Sequence, residues 1–133
     1  MVAGDRADES WRTSNPAQGL HHIHGSLVFW GHPDRGPIIY VWGEADWLRP
    51  FTFNGSTFNT VPVDTSTMTT PALSMPGAIL SLSANGSAPG TGILWASHPT
   101  RDDANHAMVD GILRAFDASN LQNELWNSER RKR

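Results

Sequence analysis

Three groups of polar residues have the types and spacing to do chemistry. The first is His21-His22-Ile23-His24. In an extended chain successive side chains alternate, so His22 and His24 share a face and His21 takes the other. Two imidazoles on one face can begin a Zn or Cu site, with His32, Glu44 or Asp46 completing it. The plain alternative is a polar lead-in to a strand, or a histidine packed before Gly25. The second group is Glu44 and Asp46, directly after the apolar run that ends at Trp42. Paired carboxylates there can bind Ca²⁺ through oxygen, or one of them can act as a general base. Gly43-Glu44-Ala45-Asp46 reads equally well as a solvated turn. The third group lies in His98–Met108, the most polar interior stretch, with Asp102, Asp103, Asn105 and His106, and Asp110 close behind. Its oxygens suit a hard cation and His106 suits a base, but the spacing is not that of an EF-hand, and a hydrophilic loop explains it too. Across these groups Glu44, Asp46 and His106 are the candidates for catalysis and Asp102, Asp103, His22 and His24 for a metal; the cofactor is left open, with Ca²⁺ one candidate.

Other chemistries find no footing. There is no Gly-x-Ser-x-Gly nucleophile turn, and Ser81 and Ser83 alternate as strand positions do. Gly86-Ser87-Ala88-Pro89-Gly90 leads toward a strand rather than a helix, so it is no phosphate loop. The chain has no cysteine, which removes disulfides and thiolate ligands. A net charge of -3 argues against a nucleic-acid partner, and the basic residues Arg130-Arg131-Lys132-Arg133 read as a solvated tail. No stretch reaches the roughly 18 apolar residues of a membrane span. Met1–Asn15 lacks the apolar core of a signal peptide, which points to the cytoplasm, or to the periplasm or exterior if a leader is missing.

The elements that must position these residues are short strands. One lysine, abundant Gly, Pro, Ser, Thr and Asn, and six Trp mark an all-β protein with many turns. Part of the chain occurs twice. Gly25-Ser26-Leu27-Val28-Phe29-Trp30 opens one unit and Gly77-Ala78-Ile79-Leu80-Ser81-Leu82 a second; each reaches an apolar run (Pro37–Trp42, Gly92–Ala96) and then a Leu-Arg-x-Phe step, Leu48–Phe51 and Leu113–Phe116. A repeat of about 40 to 50 residues built from short strands predicts propeller-type blades. The expected organisation is an N-terminal arm over 1–20, units over 21–63 and 77–128, a connector over 64–76 and a tail over 129–133. Strands are predicted at 26–30, 38–42, 47–53 and 57–63, then at 78–83, 92–97, 111–117 and 124–128. Only 102–108 and 121–126 offer short helical turns. The second unit is longer than the first by about eleven residues between its second and third strands, matching His98–Met108, and insertions within one repeat map to a loop that often binds. Trp30, Trp42, Trp47 and Trp95 could stack a ligand but suit the core.

The stretch Ala115-Phe116-Asp117, followed by Glu124-Leu125-Trp126, resembles the blade signature of quinoprotein-like (PQQ-type) β-propellers. Those repeats end a strand in Ala-x-Asp, turn at Thr-Gly and return with a hydrophobic-Trp pair. Ala115, Asp117 and Trp126 match; Ser119-Asn120 replaces Thr-Gly, and the first unit has Pro50-Phe51-Thr52 instead. The resemblance implies that Asp117 caps its turn and that Trp126 packs between adjacent blades. Met75–Ser97 also resembles propeller-like proteins of soil bacteria. No quinone-binding residue maps onto the chain, and a shared fold does not transfer catalysis.

The expectation is therefore an all-β chain of two antiparallel four-stranded propeller-type blades. Two blades leave their faces open, which calls for copies of the chain or the remainder of a longer propeller. The leading functional reading is a binding or scaffold module for a small-molecule ligand or protein partner. The second is a calcium-assisted hydrolase of lactonase or esterase type.

Overall fold

A computed structural model describes residues 22–71 and 75–130. The expected arm over 1–20, His21 and the end of the tail lie outside the described residues. Seven strands and no helix are present among them: β1 (Val28–His32), β2 (Gly36–Val41), β3 (Arg49–Thr52), β4 (Ile79–Ser83), β5 (Ile93–Pro99), β6 (Gly111–Asp117) and β7 (Asn120–Asn127). They form two antiparallel sheets, β1-β2-β3 and β4-β5-β6-β7, each a simple meander. β1 and β4 are neighbours across the two sheets.

Period-two alternation explains how the sheets pack. Trp30, Ile38, Tyr40 and Trp42 face inward from the first sheet; Leu80, Leu94, Ala96 and Phe116 meet them from the second. Each large apolar side chain fully buried in such a core contributes about 1.5–3 kcal/mol. Its polar atoms are matched. Tyr40 Oη donates to Ala118 O at 2.8 Å, and Trp30 Nε1 donates to Gly86 O at 3.2 Å.

The first sheet has three strands rather than four. Asn54-Gly55 does turn the chain: Gly55 has φ +97°, and Asn54 Oδ1 accepts the amides of Ser56 and Thr57 at 2.9 Å. Beyond it the pairing is reduced to an isolated bridge between Phe53 and Phe58 and two backbone bonds, Asn59 N to Thr52 O at 2.8 Å and Val63 N to Pro50 O at 3.4 Å. Val61 and Val63 stay exposed, and Pro62 offers no ladder donor. The Thr/Ser-rich connector instead runs along the β2–β3 loop. Ser66 Oγ accepts the Leu48 amide at 3.0 Å, and the buried Thr70 Oγ1 donates to Gly43 O at 2.8 Å. Asp64 Oδ2 takes the Leu121 amide at 2.8 Å, tying the connector to β7.

In the second sheet β5 runs on to Pro99, so the inserted loop begins at Thr100. Residues 121–126 belong to β7 and are not helical; 102–108 form turns. Asp117 Oδ1 accepts the Ser119 amide at 2.8 Å and caps the β6–β7 turn. The β6–β7 ladder is irregular, shifting register between Ala115 and Phe116 and again before Asp117.

Candidate functional site

The meander topology puts the approach to β1, the β2–β3 loop, the approach to β4 and the β5–β6 loop at one end of the molecule. Backbone bonds join them there: Ala78 N donates to Trp42 O at 3.2 Å, and Ala104 N donates to Met75 O at 3.1 Å. Among the described residues, His22, His24, Glu44, Asp46 and the inserted loop are carried by these segments, yet only one cluster forms.

That cluster is His22, His24 and Glu44. Glu44 sits in the turn 43–46, which Trp42 Nε1 closes by donating to Asp46 O at 2.7 Å. Ala45 takes a left-handed φ of 46°, and the Glu44 side chain is left only 9% exposed. The Glu44 amide donates to His22 O at 3.0 Å, fastening the histidine segment to the turn. Bare glycine backbone permits the approach: a Cβ at Gly43 would meet His22 O at 3.1 Å, and one at Gly25 would run into Ala78 O. His22 Nδ1 stands 3.6 Å from Glu44 Oε2, and His24 Nε2 stands 3.4 Å from Glu44 Oε1. The rings meet edge to face with centroids 5.4 Å apart. One ligand atom from each residue lies within 4.8 Å of the others, the one such grouping of three among the described residues.

The remaining candidates are spent elsewhere. Asp46 Oδ1 accepts the Trp47 amide at 2.7 Å and pairs with Arg49 at 2.8 Å, so it holds the turn. His32 lies in the β1–β2 hairpin, where Nδ1 accepts the Asp34 amide at 3.1 Å and Nε2 reaches Ser119 Oγ at 3.2 Å. In the inserted loop His106 Nδ1 binds Asp103 Oδ2 at 2.6 Å and holds that carboxyl below the usual range. Asp102 faces Arg101 at 3.5 Å. Asp102, Asp103 and His106 do not come together as a group of three metal ligands.

Sequence reasoning missed a partly buried polar chain that starts from the buried His98. His98 Nδ1 donates to Pro99 O at 2.7 Å, while Nε2 accepts from Arg114 Nε at 2.9 Å. Arg114 Nη1 donates to Glu124 Oε1 at 2.7 Å, and Asn127 Nδ2 donates to the same oxygen at 2.8 Å. Burial lowers the His98 imidazole from its ordinary 6.5, and the Arg114 charge lowers it further. The alternation Ile112, Arg114, Phe116 carried the signal, because an arginine at an inward position needs a buried partner. His98 also lines a shallow recess of about 190 Å³ with Pro76, Gly77, Ser97 and Val109.

The outer faces are also apolar. Ile79, Leu113 and Trp126 are 59%, 41% and 42% exposed on the second sheet; Phe29 is 62% exposed on the first, opposite Ile39. Fold and site together define an all-β protein of two stacked antiparallel sheets with an imidazole–carboxylate cluster at one end. No family model, curated protein or solved structure matches the chain. No helix among the described residues is long and apolar enough to cross a membrane.

Proposed function

We propose that the chain is a propeller-type binding and scaffold module whose outer sheet faces are covered by further copies of itself. The observation that carries this reading is the exposed Trp126, beside Ile79 and Leu113, on the outer face of the second sheet. In the repeats this segment resembles, the corresponding tryptophan packs between blades. Here the inward faces already cover one another, so the position where a next blade would lie is open. The outer faces of the two sheets differ in their residues, so contact between them is head-to-tail and closes into a ring where the rotation allows. Rings of four to eight sheets correspond to about two to four copies.

Light scattering on the purified chain over a range of concentrations tests this. The expected result is a discrete oligomer, such as a trimer supplying six sheets. A mass that stays at one protomer throughout would sink the reading.

A further inference from the structure

We propose that His22, His24 and Glu44 form a binding site for a divalent transition-metal ion, Zn²⁺ by preference, with a fourth coordination position open to solvent. The site is independent of association between copies, since all three ligands come from one chain.

The distances separate this from a simple ion pair. A charge-assisted hydrogen bond between imidazole and carboxylate runs at about 2.7–2.9 Å. The two His–Glu separations are 3.4 and 3.6 Å. Ligand atoms sharing a tetrahedral ion with bonds of about 2.0–2.1 Å sit about 3.3–3.4 Å from one another. The His24 Nε2 to Glu44 Oε1 edge matches that figure more nearly than a hydrogen bond, while His22 faces the other oxygen of the same carboxylate. The third edge, within 4.8 Å, closes by rotation of imidazoles that are 47% and 43% exposed.

Donor chemistry selects the metal. Ca²⁺ takes six to eight oxygens and Mg²⁺ keeps mostly oxygen ligands, so two imidazoles disfavour both. A His₂Glu set suits Zn²⁺, and three protein ligands with one free position is the arrangement of sites where the ion holds water. The backbone supports the set in advance of any ion. The Glu44 amide to His22 carbonyl bond and the close approaches at Gly25 and Gly43 hold the segment against the turn. The backbone that carries the ligands then loses little further freedom on binding.

Calorimetric titration of Zn²⁺ into the full chain tests the site. The expected result is one ion per chain with Kd near 1 µM or tighter, and a Co²⁺ derivative with the intense visible absorption of four-coordinate geometry. His22→Ala/His24→Ala alters exposed side chains and leaves the fold intact; it should weaken binding by about 100-fold. Glu44→Gln keeps the shape of the buried group and should weaken it by at least about tenfold. If that variant fails to fold, Glu44→Asp, which retracts the carboxylate, should show the same loss. Absence of Zn²⁺ binding, or equal binding by the double histidine variant, overturns the proposal. So does full affinity in a folded Glu44 variant, because the histidine tract alone would then be gripping the ion. Tighter binding of Ca²⁺ than Zn²⁺ overturns the choice of metal.

Discussion

The surroundings of His98 favour the neutral imidazole. Its Nε2 accepts from the Arg114 guanidinium, so a proton there would break that bond and set two cations face to face. Burial acts in the same direction, and burial also lowers His32. The unfolded chain takes up both protons as pH falls through about 6.5, whereas the folded chain resists until lower pH. The stability linked to these groups is therefore complete above 6.5 and is lost as pH falls toward the folded-state values. Thermal unfolding followed from pH 8 to pH 5 should show a falling Tm. In His98→Gln the slope should be shallower, with the His32 part remaining; an unchanged slope would place the proton uptake elsewhere. At this scale the sequence is legible where alternation alone decides. His22 and His24 sharing a face follows from period two. The choice of Glu44 over Asp46 or His32 does not, because it depends on the turn 43–46 aiming one carboxylate at the histidines and locking the other onto Arg49.

At the scale of elements, the contact between β1 and the start of β5 leaves no room for a side chain. A Cβ at Gly92 would fall 2.6 Å from the Trp30 ring and 3.0 Å from the Ala118 methyl. The indole is buried and donates to Gly86 O, so it cannot retreat without giving up that bond. Gly92→Ala should destabilise the fold by about 1–3 kcal/mol, read as a lower midpoint in urea. A midpoint equal to wild type would mean that the core repacks freely there. Strand positions were readable to within a few residues because alternating apolar runs and Gly/Pro turns delimit them. The predicted strand at 57–63 is absent for a reason no local pattern reveals. Val61 and Val63 stay exposed there, while the connector gains buried hydroxyl bonds through Ser66 and Thr70. Tertiary context overrides β-propensity here.

For the whole molecule, two sheets bury one face each and expose the other. Replacing Leu113 and Trp126 together with Glu should leave the inward core untouched and convert an assembled species to single protomers by light scattering. Circular dichroism should report unchanged strand content. Retention of the assembly in this variant would move the interface off the second sheet. The all-β class was legible from turn chemistry. What covers the outer faces was not, since an exposed and a buried apolar strand position read alike in a single sequence.

The two register shifts between β6 and β7 bear on how such a chain escapes uncontrolled aggregation. β7 is the free margin of the larger sheet, and its backbone is an invitation to a foreign strand. A ladder that slips twice just inside that margin bends and twists it, so a straight incoming strand meets donors and acceptors out of step. Asn120, Gln122 and Glu124 add polar groups along the same strand. Growth by strand addition, the route to fibres, is thereby discouraged, and the contact left open is the stacking of faces, which is self-limiting when it closes on itself.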